Sequence, residues 1–317
     1  MIDKNSSAFL ERLDALACDM IEFDESDQEL DSDCTDEAGS NDDMDKEMDN
    51  EEMDSSSSES KEEDEDDEEG ENTNDETIAK AFDYVLKIRK IPIVVNDSRG
   101  FYTSRVFSTY TNEGLALLAE GNHPQEIESA GKKAGMPVGP LAVIDEINLG
   151  LVVRIRNQTR KDLAAEGKDL PLSPADPVID LMTETMNRLG RANGGGFYEY
   201  PEDGPKKIWS GLAEAFPVSQ TQPDLQLIKD RLMTIQSLDA YRCLEENVLT
   251  SPDDGDIGSI FGWGFPPWSG GVFSYIDTVG IKAFVERCDD FHKRFGERFK
   301  VPNSLRERAN KNESFYS

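Results

Sequence analysis

Downstream of residue 76, apolar side chains recur at helical spacing along most of the chain. In "ETIAKAFDYVLKIRK" the residues Ile78, Ala79, Phe82, Val85 and Leu86 share one stripe, and the apolar run "IPIVV" follows. This pattern predicts an αβ unit whose strand is buried on both faces, as in a parallel sheet. After Gly100 the pattern turns helical. "YTSRVFSTYTNEGLALLAEG" predicts a helix closed by Gly121, and residues 123–134 a second, shorter helix entered at Pro124. The turn "GMPVGP" leads into "LAVIDEINLGLVVRIRNQTRKDL", which reads as helical. "PADPVIDLMTETMNRLGRANGGG" adds a helix with a glycine stop, and "FYEYPEDGPKKIW" reads as two short strands around a turn.

Residues 224–302 replay the first helical stretch. Laying Arg105 on Arg231 places Glu113 on Asp239, Leu118 on Leu244 and Glu120 on Glu246. After a small insertion "AGMPVGP" falls on "WGFPPWSGG" and "VIDEI" on "SYIDTV". A repeat of roughly 125 residues is too long for a solenoid, so the expectation is two homologous helical units packed on each other as a pseudo-symmetric pair.

Charge separates the first quarter of the chain from the rest. The 317 residues carry a formal charge of -33. Residues 1–76 hold 33 acids against 4 bases, a net of -29, which leaves 33 acids against 29 bases, or -4, for residues 77–317. The stretch from Asp19 to Glu76 has too little apolar surface to offset the entropy of ordering it and is expected to be disordered. Its exception is "SAFLERLDALACDMIEF", where Phe9, Leu10, Leu13, Leu16, Ala17, Met20 and Ile21 lie at helical spacing behind Ser6 or Ser7 as N-cap. Four widely separated cysteines (Cys18, Cys34, Cys243, Cys288) indicate neither a disulfide framework nor a zinc site. With no long apolar run and no signal-peptide pattern, a soluble, cytoplasmic protein is expected, without a membrane partner.

The strings "PIVVNDSRGFYTSRV", "GMPVGPLAVIDEI", "NGGGFYEY" and "GDIGSIFGWGFPPWSGGVFSYIDTVG" resemble the C-terminal region of 3-hydroxyacyl-CoA dehydrogenases, above all the tandem form in multifunctional fatty-acid β-oxidation proteins. The resemblance spans about residues 75–317. It implies a mainly α fold: an acidic, mostly disordered segment over 1–74, a remnant last helix and strand of a Rossmann domain over 75–98, and two homologous helical domains in tandem over 99–210 and 222–317. It also implies NAD-dependent oxidation of L-3-hydroxyacyl-CoA to 3-ketoacyl-CoA, with an acyl-CoA substrate and a separate NAD-binding or hydratase polypeptide as a further partner. No GxGxxG follows a strand before Glu76, and the family's catalytic His–Glu pair belongs to the part not found in this sequence, so this chain alone is not expected to bind NAD or to turn over.

One family position is retained in altered form. Where relatives commonly have Asn before the arginine of "GFYTSR", this chain has Ser104, a hydroxyl able to donate toward a substrate oxygen; the other reading is a small residue in the first turn of a helix. His123 and His292, the only histidines, match no motif and read as surface residues. "NGGGF" reads as a helix stop and tight turn rather than a phosphate cradle, and "GWGFPPWSGGVF" as a rigid loop sealing a core. The acidic tract is either solvated or a ligand for basic proteins; its sign argues against nucleic acid. The alternative function is a non-catalytic interaction or dimerisation module with an acidic tail.

Overall fold

The computed structural model describes residues 73–316. The helix expected from "SAFLERLDALACDMIEF" and most of the acidic tract lie outside the described residues. Within them the fold is mainly helical: α1 (Asp75–Lys87), α2 (Thr103–Ala119), α3 (Pro124–Ala134), α4 (Pro140–Ile147), α5 (Leu149–Ala165) and α6 (Asp176–Asp180), which runs into a π-helical turn. A two-residue antiparallel ribbon, β1 (Tyr198–Glu199) with β2 (Lys207–Ile208), and the short α7 (Leu212–Ala215) connect to the second copy. That copy comprises α8 (Leu225–Glu245), α9 (Pro252–Trp263), α10 (Val272–Val279), α11 (Ile281–Phe295) and α12 (Asn303–Lys311).

Helices α2 and α8 pack on each other at the centre, which explains why they are buried nearly all round from Thr111 to Leu118 and from Arg231 to Tyr241. They run antiparallel, because the arginine near the start of each reaches the glutamate just past the end of the other. Arg105 meets Glu246 at 2.5 and 3.0 Å and Asp239 at 3.4 Å. Arg231 meets Glu120 at 2.5 and 2.8 Å and Glu113 at 2.7 Å. The residues superposed by the repeat are therefore partners across a pseudo-twofold axis, and one continuous core takes side chains from both copies, from Val106 and Leu141 to Phe273 and Leu305.

The internal bracing of each copy repeats as well. Glu128 on α3 accepts from the first-turn N–H groups of Leu141 and Ala142 in α4, at 2.7 and 3.3 Å. In the second copy Asp256 on α9 accepts from Phe273 and Ser274 in α10, at 2.6 and 3.1 Å. Each satisfies N-terminal amides that the helix itself leaves without partners. A tyrosine hydroxyl donates to each carboxylate: Tyr198 to Glu128 at 2.7 Å, Tyr316 to Asp256 at 2.9 Å. Asp145 then accepts from the amides of Phe197 and Tyr198, and Asp277 from those of Phe315 and Tyr316. The repeat thus extends to the "FY" at 315–316, beyond residue 302.

One expectation needs correction, and two others gain detail. "IPIVV" joins no sheet among the described residues. It lies extended across the second copy, with one antiparallel bridge from Val95 to Leu249, Asn96 N–H donating to Val248 O at 2.9 Å, and Ile93 seated against Gly258, where a β-carbon would overlap it. Its apolar residues are only partly buried, and Ile91 is exposed, because one face has nothing packed on it. Residues 141–163 are helical as expected, in two helices that meet at Asn148 (φ +81°), whose side chain caps Gly150 N–H at 2.8 Å. Asparagine tolerates this left-handed region and can cap the next helix, so apolar periodicity passes through the corner without marking it. The second copy turns the same corner at Gly280 (φ +88°). Finally, the loop "GWGFPPWSGGVF" seals the core with Trp263 and Phe265, but Trp268 stays exposed and donates its indole N–H to Ala134 O of the first copy at 2.8 Å. "NGGGF" does form a tight turn: a β-carbon on Gly196 would overlap the Asp145 carboxylate.

Candidate functional site

The candidate site is the first turn of α2. The chain enters it through a turn in which Phe101 N–H donates to Ser98 O at 2.7 Å, with Gly100 (φ +77°) and Phe101 (φ +44°) both left-handed. Tyr102 fixes the turn from below: it is fully buried, its ring meets Trp263 edge-on at 5.4 Å, and its hydroxyl donates to Gly255 O at 2.8 Å. Arg105 fixes it laterally through Asp239 and Glu246. Arg99 pairs with Glu166 just past the end of α5. Between these anchors Ser104 faces solvent, and its hydroxyl makes no hydrogen bond among the described residues. A side chain held at a rigid helix end with its polar group free can donate to a ligand without first breaking another bond.

Among the described residues no side chain that could act as a base is hydrogen-bonded to Ser104. His123 precedes α3, where its backbone N–H donates to Gln222 at 2.9 Å. His292, near the end of α11, holds Gly296 O at 3.2 Å and lies 3.6 Å from the exposed Glu297. Neither contacts Ser104. The buried carboxyls have structural duties: burial pushes Asp145 up to about 6, opposed by the bonds from Phe197, Tyr198 and Tyr200, and burial likewise raises Glu128 and Asp256. Burial pushes the thiols of Cys243 and Cys288, both free, up to about 12, which makes them poor nucleophiles. Among the described residues no cluster of His, Cys, Asp or Glu could hold a metal ion.

A dinucleotide needs a strand, a glycine-rich turn and a helix N-terminus in series. The sheet formed by the described residues is a two-stranded antiparallel ribbon, so they do not fit that cofactor. A separate open groove of about 560 Å³ lies between α3 and β2, flanked by Lys132, Lys133, Lys206 and Lys207 and unconnected to Ser104. Sequence reasoning missed this groove because its lysines come from segments more than 70 residues apart. No helix of the described residues is long and apolar enough to cross a membrane.

The fold and the site define a tandem helical module with a polar group presented at the first turn of its leading central helix. Residues 100–200 match the family described as 3-hydroxyacyl-CoA dehydrogenase, C-terminal domain. The chain is 36% identical over 250 residues to the fatty acid oxidation complex subunit alpha of Shewanella loihica, covering 78% of this chain and 34% of that protein. The corresponding subunit of Shewanella baltica is 36% identical over 248 residues, covering 77% and 34%. The chain thus spans about a third of the length of these curated relatives. Among solved structures, 3-hydroxybutyryl-CoA dehydrogenase from Escherichia coli K12 matches with a TM-score of 0.57 at 19% identity, over 76% of this chain and 66% of that one. The dehydrogenase part of multifunctional enzyme 1 from C. elegans matches with a TM-score of 0.52 at 22% identity, over 73% and 53%. At such identities these two comparisons speak to the fold alone.

Proposed function

We propose that this chain contributes the helical, acyl-CoA-facing half of an L-3-hydroxyacyl-CoA dehydrogenase, and that a separate polypeptide supplies the NAD-binding domain. The observation that carries this reading is the braced first turn of α2, which presents the unengaged Ser104 hydroxyl at the position where relatives place a polar side chain. In this role Ser104 donates a hydrogen bond to an oxygen of the acyl-CoA, the rigid turn fixes its direction, and the general base comes with the other half. Separating the halves leaves hydride transfer without its base or its cofactor, because positioning and proton transfer each supply large, separate factors in rate.

The test is to incubate the full chain with NAD and a 3-hydroxyacyl-CoA and follow NADH absorbance, with and without a separately expressed dinucleotide-binding domain of a related dehydrogenase. The expected result is no turnover by the chain alone, turnover with both halves, and a roughly 10- to 100-fold lower rate with Ser104→Ala. Turnover by the chain alone would overturn the reading. So would silence of the mixture, which would leave the non-catalytic interaction module as the better account.

A further inference from the structure

The open groove between α3 and β2 gathers cations in a molecule that is otherwise acidic. Residues 77–317 carry a net charge of -4, yet the groove is lined by four lysines against one acid, Glu128. That acid is committed inward: it is 5% exposed, and its oxygens accept from the N–H groups of Leu141 and Ala142 and from the Tyr198 hydroxyl. The lysines are only partly neutralised. Lys207 lies 3.1 Å from Glu199, and Lys206 lies 4.0 Å from Glu146, which Arg191 already holds at 3.1 Å. Lys132 and Lys133 make no ion pair among the described residues. Gln125 and Ser129 share their face of α3, four and seven to eight residues apart in register with them, and neither side chain makes a hydrogen bond among the described residues. On the opposite wall the Lys206 ammonium lies 5.2 Å from the ring centre of Tyr198 and 6.0 Å from that of Tyr200. Burial lowers its pKa, and the charge of Lys132 adds to the lowering, so the two walls of the groove repel each other. Like charges converging on one cavity raise its free energy, and a bound anion relieves that cost.

We propose that this groove binds a terminal diphosphate, either as inorganic pyrophosphate or at the end of a small molecule such as a nucleoside diphosphate. Charge favours this class over a monophosphate. Three ammonium groups, Lys132, Lys133 and Lys206, are free or loosely held, and a phosphate monoester, with at most about two negative charges, leaves one of them unmatched. Lysines act on phosphate as mobile point charges, and the free Gln125 amide and Ser129 hydroxyl add neutral donors on the same wall. Size agrees as well: about 560 Å³ is the volume of a small-ligand site, and the open side lets the rest of a nucleotide extend past Ile208. A long polyanion is disfavoured, because it would meet the field of a chain whose charge is -33, whereas a compact anion inside the groove responds to charges within a Debye length of roughly 10 Å.

This inference does not rest on the reading of Ser104, and its test measures binding alone. Inorganic pyrophosphate, ADP and AMP are titrated calorimetrically into the full chain without divalent metal, at low and at physiological salt. The groove predicts saturable 1:1 binding of pyrophosphate or ADP, roughly tenfold weaker binding of AMP, and a several-fold loss of affinity as salt rises. Pyrophosphate binding more tightly than ADP would identify the free anion as the ligand, and the reverse order a nucleotide; either supports the site. The double variant Lys132→Gln/Lys206→Gln should weaken binding at least tenfold, and Lys282→Gln, on the exposed side of α11, should leave it unchanged. As a check free of substitutions, bound pyrophosphate should protect Lys132, Lys133 and Lys206 from an amine-acylating reagent read by mass spectrometry. No binding at millimolar ligand would overturn the proposal, as would affinity unchanged in the double variant. Equal affinity for a short poly-glutamate peptide would also overturn it, by making the groove a general cationic surface for acidic proteins.

Discussion

The two central arginines occupy equivalent places and live in different surroundings. Arg231 is 2% exposed at its side chain, bonds to both Glu113 and Glu120, and lies with its guanidinium carbon 3.8 Å from the ring centre of Phe295. A second arginine, Arg298, completes the cluster by donating to Glu113 at 2.6 Å. Arg105 is 21% exposed, its longer contact is 3.4 Å, and its main partner Glu246 is open to water. Duplication preserved the crossed geometry while one pair sank into the core and the other stayed near the surface beside Ser104. The same ionic contact is thus structural at one end of the α2–α8 interface, while at the other it also holds the candidate site in place.

That contrast fixes the order of expected effects. Arg231→Met should be the most damaging change, destabilising by about 3–5 kcal/mol, because it leaves the fully buried Glu113 carboxylate short of its counter-charge. Arg105→Met should lose about 1 kcal/mol or less, since water can solvate Glu246 in its place. Denaturant unfolding of the two variants measures both, and equal losses would remove the distinction. The next effect concerns Asp145, at the heart of the first copy's bracing. Its folded-state pKa is raised to about 6, so the native state binds more protons than the unfolded chain between the two values. The stabilisation is fully present below the ordinary aspartate range and is lost as pH rises through about 6, an effect on the order of 3 kcal/mol. Asp145→Asn should flatten the dependence of stability on pH between about 4 and 7, and the Asp145 carboxyl resonance should titrate near 6. The smallest effect belongs to the matched corners. Gly280→Asn should alter stability by only a few tenths of a kcal/mol, because asparagine already holds this conformation at Asn148 and nothing lies within 4 Å of a β-carbon at 280. Gly280→Val should lose about 1–2 kcal/mol, since a β-branched residue resists positive φ. Thermal melts of the pair check both.

The repeat was legible because it rests on long helices whose polar exceptions, Arg105 with Glu113 and Glu120 and Arg231 with Asp239 and Glu246, keep one spacing. What the alignment did not reveal is that each arginine bonds to the other copy's acids, since sequence spacing carries no information about which helix faces which. The final "FY" of each copy escaped notice because a two-residue match has no periodicity to support it. "IPIVV" was misread for a related reason: an apolar run announces burial without naming what covers it, and here the cover is the turn from Asn247 to Leu249 together with Gly258. Ser104 was visible only through family resemblance. In its physical surroundings alone it is an exposed serine in the first turn of a helix, and its interest comes from the anchoring of Tyr102 and Arg105 around it.

The central structural claim is that both copies share one core and stand or fall together, and native-state hydrogen exchange tests it most directly. Amides in α2 and α4 and their counterparts in α8 and α10 are followed through increasing denaturant, in the wild type and in Arg231→Met. A shared core predicts that the most protected amides of the two copies merge into one opening free energy, and that the substitution lowers both by the same amount. Separate opening energies, with only one copy responding to the substitution, would contradict it.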